Sequence, residues 1–192
     1  DYGRVLLICG AEGYTGAPVL AAQAALRSGA GLVFVGVPRC VYPIVAAKLT
    51  EAMVFPLPDR DGRLGAGAVS ELLPRLEKMD ACLIGCGLGQ SEDVRAVVEA
   101  VLTHAKCPVV VDADGINVLS GHIDIVRGAS CPVVLTPHDG ELARLGGDLG
   151  QARLAETRRM QRLLGATLLR KGHRTLCLLY TSDAADDLIG VD

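Results

Sequence analysis

The chain has 192 residues and a net charge of −3, and it is 50% hydrophobic but only 3% aromatic. This length favours one domain, and its core must be built from small and aliphatic side chains. The sequence has no run of Lys or Arg that would neutralise a phosphate backbone, and charged residues interrupt each apolar stretch before the ~20 residues that span a bilayer, so the composition argues against a nucleic-acid-binding protein and a membrane segment.

Short apolar runs alternate with helical patterns along the chain. Each run ends near Gly or Pro, which is typical of strands buried on both faces of a sheet; they cover residues 4–10, 31–38, 81–87, 107–114 and 131–137. The helical patterns cover residues 17–29, 67–79, 91–105 and 151–165, with Ser91 as an N-cap and Gly29 and Gly165 as stops. The alternation predicts an α/β fold, a doubly wound and mostly parallel sheet flanked by helices.

Such a sheet binds ligands beyond the carboxyl ends of its strands. We therefore expect four polar segments to converge on one edge of the sheet, namely residues 10–17, 85–91, 112–117 and 136–141. Two of them are glycine-rich, which suits the close approach of a ligand and also suits a plain tight turn. Residues 56–65 are interpreted as a surface loop.

Two carboxylates follow the fourth predicted strand. Strand alternation places Asp112 and Asp114 on the same side, where the pair suits a magnesium–phosphate unit. The alternative is a structural role, and we favour an N-cap for Asp114.

A second polar group follows the fifth predicted strand. Asp139 and Glu141 are explained by the dipole of a helix that begins there. His138 is not explained in this way and is either a ligand contact or a structural residue. Farther along, Lys171, His173 and Arg174 form a cationic turn that suits a phosphate-bearing ligand, with a solvated hairpin turn as the alternative.

Seven cysteines are scattered through the chain with no CxxC pair. This spacing favours reduced, mostly buried thiols over a zinc site or disulfides, and with them a cytoplasmic protein.

Five stretches occur in an order that resembles one family. They are "GRVLLICGAEGYTGAPVLAAQAALRSGAGLV", "GCGLG", "DADGIN", "LTPHDGELARL" and "KGHRT", and they span about Gly3 to Leu176. Together they resemble the NAD(P)H-hydrate dehydratases of the ribokinase-like superfamily. The resemblance implies a ribokinase-like fold and a repair enzyme that uses ADP or ATP, with Mg²⁺, to dehydrate (6S)-NAD(P)H hydrate and restore NADH or NADPH.

The resemblance also implies roles for individual residues. Ala17, Gly89 and His138 would contact the hydrated dinucleotide. The adenine nucleotide would be held by Lys171, Gly172, His173, Arg174 and Thr175. Supporting positions would be Tyr14, Asp112, Asp114, Asn117 and Glu141. Cys86 departs from the family pattern, which has proline there.

The likeness stops after Leu176. The family continues into a GxGD segment whose Asp is the catalytic base, and this sequence contains no GxGD, so no catalytic residue is assigned. Residues 177–192 resemble the translation of a sequencing adaptor. We therefore expect residues 1–176 to be a partial domain, incomplete at the C-terminus and inactive alone.

Two other functions stay open at this point. One is a ribokinase-like kinase of a small alcohol or vitamin precursor, and the other is a non-catalytic nucleotide-binding protein. An NAD(P)H-hydrate epimerase domain or partner and assembly into homo-oligomers are also compatible with the sequence.

Overall fold

The computed structural model describes residues 2–180 and 188–190, which form eleven strands and eight α-helices. The strands are β1 (Arg4–Ile8), β2 (Leu32–Pro38), β3 (Met53–Leu57), β4 (Asp59–Arg60), β5 (Arg63–Leu64), β6 (Ala81–Ile84), β7 (Val109–Val111), β8 (Val133–Leu135), β9 (Thr167–Arg170), β10 (Leu176–Leu178) and β11 (Leu188–Gly190). The helices are α1 (Gly16–Arg27), α2 (Tyr42–Ala46), α3 (Ala68–Leu76), α4 (Glu92–His104), α5 (Asp114–Asn117), α6 (Ile123–Arg127), α7 (Asp139–Arg144) and α8 (Arg153–Leu164).

Nine strands form one sheet in the order β11-β10-β9-β8-β7-β6-β1-β2-β3. The pairings from β3 to β9 are parallel, whereas β10 runs antiparallel to β9 and β11 antiparallel to β10. The predicted mostly parallel α/β sheet is thus confirmed. The prediction missed β3, which contains Pro56. A strand that pairs on only one side tolerates a residue without an N–H group, and β3 lies at the edge of the sheet.

Helices cover the two faces of the sheet unevenly. On one face, α3, α4 and α8 pack on alternate residues of β1 and β6–β9 in the larger apolar cluster. On the other face, α1 and α2 pack on β1 and β2 in a smaller cluster. Val110, Val134 and Leu169 point to that second face, because their strand neighbours face the first, and they are only partly buried and belong to neither cluster. Full burial of both faces, as predicted, therefore fits the β1–β2 part of the sheet best.

Local signals place several helix ends correctly. Ser91 Oγ accepts a hydrogen bond from Val94 N at 3.1 Å and caps α4, as predicted. Gly165 ends α8 with left-handed backbone, and Gly29, also at positive φ, follows the end of α1.

The interpretation of residues 56–65 as a surface loop was wrong. They include the end of β3 and the antiparallel hairpin of β4 and β5. Asp61 and Gly62, both at positive φ, make its two-residue turn. Leu57 and Leu64 are fully buried, so the hairpin is anchored in the core.

The end of the chain was predicted to leave the family pattern after Leu176. In the structure Leu176 begins β10, which continues the sheet. Residues 181–187 and 191–192 of the predicted tail lie outside the described residues, so the boundary stays a prediction. Within residues 2–180 and 188–190, no helix is long and apolar enough to cross a membrane.

A substitution at Gly85 tests how closely the backbone segments after β6 and β7 are packed. A Cβ at this position would lie 1.9 Å from the carbonyl oxygen of Asp112, at a φ of +129°. We expect Gly85→Ala to lower the free energy of unfolding by about 3 kcal/mol or more, because backbone must move. Gly29→Ala is the matched control: it has positive φ but no atom within 4 Å, and it should cost about 1 kcal/mol. Equal losses in urea titrations of the two variants would contradict the close-packing argument.

Candidate active site

The segments after the parallel strands meet at one edge of the sheet, as expected from their direction. Gly10 N donates a hydrogen bond to the carbonyl oxygen of Cys86 at 2.9 Å, which joins the segments after β1 and β6. Lys171 N donates to the carbonyl oxygen of Pro137 at 2.8 Å, which joins those after β9 and β8. These backbone bonds fix the positions from which the polar side chains project.

A lysine cluster lies at the centre of this edge and consists of Asp112, His138, Glu141 and Lys171. Lys171 Nζ lies 2.6 Å from Asp112 Oδ1 and 3.9 Å from Glu141 Oε2. The Glu141 side chain is buried, whereas that of Lys171 is 38% exposed. Lys171 is thus a cation held between two carboxylates and still open to solvent, from where an anionic ligand can reach it.

His138 is both a helix cap and a site residue. Its Nδ1 accepts hydrogen bonds from Gly140 N at 3.0 Å and Glu141 N at 3.2 Å, and Glu141 Oε2 accepts from His138 N at 2.9 Å. This reciprocal pattern is a capping box for α7. Because Nδ1 accepts, the neutral ring carries its proton on Nε2, which lies 3.3 Å from Glu141 Oε1, and the side chain is 52% exposed. His138 therefore has a structural role at the start of α7 and still exposes one side of its ring at the site.

Asp114 contacts the glycine turn, residues 85–89 after β6, and does not cap its own helix. It is the first residue of α5, whose N-cap is Ala113 with no side-chain cap, so the predicted N-cap was wrong. Asp114 Oδ2 accepts from Gly89 N at 2.9 Å, and Asp114 Oδ1 accepts from Asn117 Nδ2 at 3.2 Å. Arg144 Nη1 in turn donates to Asn117 Oδ1 at 2.9 Å. The Asp114 side chain thus fixes the backbone of Gly89, and Asn117 and Arg144 in turn fix Asp114.

Ala17 and Tyr14 lie against the same glycine turn. A Cβ built on Gly87 would lie 3.0 Å from the Cβ atoms of both residues. Pro18 occupies the first turn of α1 and packs on Gly10. Tyr14 is 59% exposed. The structure thus brings Ala17 and Gly89, two of the predicted substrate contacts, to one side of the edge.

The cationic turn after β9 is a hairpin connection between β9 and β10. Lys171 is the first residue of this segment and belongs to the lysine cluster, with Asp112 and Glu141 as its partners. His173 and Arg174 are exposed, and Thr175 Oγ1 donates to the carbonyl oxygen of Gly172 at 3.2 Å. The alternative of a solvated hairpin turn thus describes residues 172–174, and the phosphate-binding role of the segment stays a prediction.

An arginine pair behind the site was not predicted. Arg170, only 4% exposed, donates from Nε to Asp139 Oδ1 at 2.7 Å, and Arg153 Nη1 donates to the same atom at 3.0 Å. Arg153 Nη2 also donates to the carbonyl oxygen of Lys171 at 3.0 Å. The bond from Arg170 holds the pKa of Asp139 below its usual value. This network fixes the backbone from which Lys171 projects.

Cys86 adds a thiol at the base of the site. Its Sγ lies 3.9 Å from Asp112 Oδ2. The hydrogen bond from the buried thiol of Cys9 lowers the pKa of Cys86, and the charge of Lys171 acts in the same direction, while burial and the charge of Asp112 oppose both. All seven cysteines are free thiols.

The β4–β5 hairpin borders the site beside Gly89, which the sequence analysis missed. Glu12 N donates to the carbonyl oxygen of Gly62 at 2.7 Å, and a Cβ on Gly89 would lie 2.5 Å from Arg63 Nε. The available signal was the Asp61–Gly62 dipeptide, which favours a two-residue hairpin turn.

The Asp139 network gives a stability prediction. Asp139→Asn should lower the free energy of unfolding by about 1–3 kcal/mol, because the buried Arg170 loses its charged partner while half of the Asp139 side chain remains in water. Its folded-state pKa is lowered, so the contribution is complete above the unfolded pKa of about 3.9 and is lost as the pH falls through the folded value.

The measurement is urea unfolding of both proteins from pH 7 down to acid. The gap between wild type and Asp139→Asn should narrow as the pH drops. Asp124→Asn, at an exposed position of α6, should stay within about 0.5 kcal/mol of wild type. A gap that widens in acid would contradict the assigned ion pair.

The family model described as NAD(P)H-hydrate dehydratase matches residues 5–184. The bifunctional NAD(P)H-hydrate repair enzyme Nnr of Moorella thermoacetica is 43% identical over 180 residues, and the match covers 91% of this chain but 34% of the relative. The chain thus spans about a third of the length of that protein.

Two solved structures have the same architecture. One is a ribokinase-like superfamily protein from Enterococcus faecalis, with a TM-score of 0.77 and 30% identity over 93% of this chain and 62% of that one. The other is the ADP/ATP-dependent NAD(P)H-hydrate dehydratase from Bacillus subtilis, co-crystallised with ATP/Mg²⁺ and soaked with CoA. Its TM-score is 0.72, with 31% identity over 93% of this chain and 62% of that one. The chain therefore belongs to the NAD(P)H-hydrate dehydratase family and has its ribokinase-like fold.

Proposed function

We propose that this chain is the nucleotide- and substrate-binding part of an enzyme that uses ADP or ATP to dehydrate (6S)-NAD(P)H hydrate and restore NAD(P)H. The observation that carries the proposal is the lysine cluster. Lys171 lies at the meeting point of the strand ends, paired with Asp112 and partly open to solvent. The Bacillus subtilis relative, crystallised with ATP/Mg²⁺, supports a nucleotide as the anion that Lys171 meets.

The two sides of the edge suit two ligands. Lys171 to Thr175 supply a cationic, partly exposed turn for the phosphates of the adenine nucleotide. Ala17 lies beside Tyr14 at the glycine turn, and together with Gly89 and the exposed ring of His138 it would contact the hydrated dinucleotide. Asp112 and Glu141 hold Lys171 between them, so that its ammonium group is oriented before the nucleotide arrives.

Phosphoryl transfer from the nucleotide would make the hydroxyl of the hydrate a better leaving group. The chain's own part in this step is to hold the phosphates against Lys171 and the hydrate against Gly89. We further propose that the proton of the hydroxyl is taken by the Asp of a GxGD segment, which the 192 residues do not contain. In the capping box the Nδ1 atom of His138 already accepts two hydrogen bonds, and the other ring nitrogen, Nε2, carries the proton. His138 therefore has no free nitrogen to accept the hydroxyl proton and does not replace that base.

Mg²⁺ fits this site only together with a nucleotide. Across residues 2–180 and 188–190, no group of three or more His, Cys, Asp or Glu side chains is arranged to hold a metal ion. Asp112 already accepts from Lys171 and from Ala113 N. Mg²⁺ commonly takes one or two carboxylates and completes its shell with phosphate oxygens and water, so Asp112 would serve as a single ligand at most while the phosphates supply the rest.

The bifunctional relative suggests a second activity in the same pathway of repair. We propose that an NAD(P)H-hydrate epimerase, as a domain or a separate partner, works with this protein in the cytoplasm. The free thiols are consistent with a reducing compartment. Assembly into homo-oligomers is part of the same proposal and is tested by light scattering.

Lys171→Gln tests the nucleotide site. We expect it to weaken ATP binding at least about tenfold in calorimetric titrations, because a charge-assisted contact to phosphate is lost. Lys48→Gln, at an exposed lysine outside the cluster, is the matched control and should bind ATP as wild type does. Unchanged affinity in Lys171→Gln would contradict the assigned phosphate contact.

The missing base gives a second prediction. The 192-residue protein, mixed with ATP, Mg²⁺ and NADPH hydrate, should bind the ligands but should not restore the absorbance of reduced nicotinamide. The Bacillus subtilis dehydratase serves as the positive control. Turnover at the rate of that enzyme would show that the base lies within residues 1–192 and would overturn this part of the proposal.

A further inference from the structure

Arg63 is a cation on the substrate side of the site, and it has no part in the function proposed above. It lies on β5, and its side chain crosses Gly89: a Cβ built on Gly89 would lie 2.5 Å from Arg63 Nε and 2.9 Å from its Cδ. Glycine at position 89 is therefore what leaves room for the arginine. The arginine and the turn form one surface.

Arg63 differs from its neighbour Arg60 in having no carboxylate at ion-pair distance in the described part of the chain. Among the residues that the structure describes, Arg63 forms no ion pair, and its one side-chain hydrogen bond runs from Nη1 to the carbonyl oxygen of Asp61 at 3.4 Å. Arg60, its neighbour on the same hairpin, does pair with a carboxylate, since Arg60 Nη1 lies 3.5 Å from Asp93 Oδ2. The two arginines thus differ in the property that matters for binding an anion.

The glycine turn needs such a cation if it receives a phosphorylated ligand. Gly89 N already donates to Asp114 Oδ2 at 2.9 Å, so this amide is not offered to a ligand. The Asp114 carboxylate itself would repel a phosphate group at short range. Arg63, whose side chain lies on Gly89, supplies the opposite charge.

The hairpin holds Arg63 in this place. Glu12 N donates to the carbonyl oxygen of Gly62 at 2.7 Å, which ties the turn of the hairpin to the segment after β1. Leu64, the next residue after Arg63, is fully buried in the core. An arginine with fixed backbone loses less conformational freedom when it binds than one on a mobile loop.

We propose that Arg63 is a further substrate-binding residue, which takes a phosphate group of the hydrated dinucleotide beside Gly89. The inference rests on the proposed function, because it presumes that Gly89 contacts this substrate. The bridging diphosphate, common to both hydrates, and the 2′-phosphate, present only in NADPH hydrate, offer the same chemistry to a guanidinium group.

The test compares Arg63→Ala with Arg60→Ala in titrations of the 192-residue protein with NADH hydrate, NADPH hydrate and ATP. Arg63→Ala should weaken hydrate binding about tenfold or more and leave ATP binding within about twofold, because the arginine lies on the substrate side only. Arg60→Ala should leave all three affinities within about twofold. Equal losses for both hydrates identify the diphosphate, and a loss confined to NADPH hydrate identifies the 2′-phosphate.

A salt titration separates a charge contact from a change in shape. Wild type should lose affinity for the hydrate as ionic strength rises, Arg63→Ala should show a shallower dependence, and Arg63→Lys should keep the dependence of wild type. Unchanged hydrate affinity in Arg63→Ala, or an equal loss of ATP affinity, would overturn the inference. Wild-type protein that binds ATP but neither hydrate would instead overturn the proposed substrate, and this inference with it.

Discussion

The common direction of the seven strands β1, β2, β3 and β6–β9 is the constraint on which the site depends. Because these seven strands run in parallel, the segments that follow them arrive at the same edge of the sheet. Residues as distant in sequence as Asp112 and Lys171 thereby reach ion-pair distance. The close contact between Gly85 and the backbone at Asp112 shows how little space separates these segments. The chemistry of the site follows from which side chains the turns carry.

The sequence predicted features that depend on local structure. The Ser91 cap, the Gly165 stop, the alternation of strands and helices and the convergence of strand ends require only short-range preferences and the direction of a parallel sheet. The role of Asp114 was mistaken, because its partner Gly89 belongs to a different segment. For the same reason the bonds of Asp139 to Arg153 and Arg170 were not foreseen, since helix-dipole rules already explained that residue.

The site divides into two regions with different electrostatic arrangements. On one side Lys171 is held between carboxylates, so its charge is partly balanced before a ligand binds. On the other side Arg63 has no carboxylate partner among the described residues and lies on the glycine turn. A cation balanced in advance costs less to keep in a half-buried place, whereas an unbalanced one attracts an anion more strongly. This difference suits an adenine nucleotide on the first side and a dinucleotide on the second.

The most direct test of the central claim, that the lysine cluster receives the phosphates of the adenine nucleotide, is a crystal structure of the protein with ATP and Mg²⁺. We predict phosphate oxygens within hydrogen-bond distance of Lys171 Nζ, with the backbone of Gly172 to Thr175 along the nucleotide. A nucleotide bound at another place on the protein, with the ion pair of Lys171 and Asp112 unchanged, would contradict the assignment of this cluster to the nucleotide phosphates.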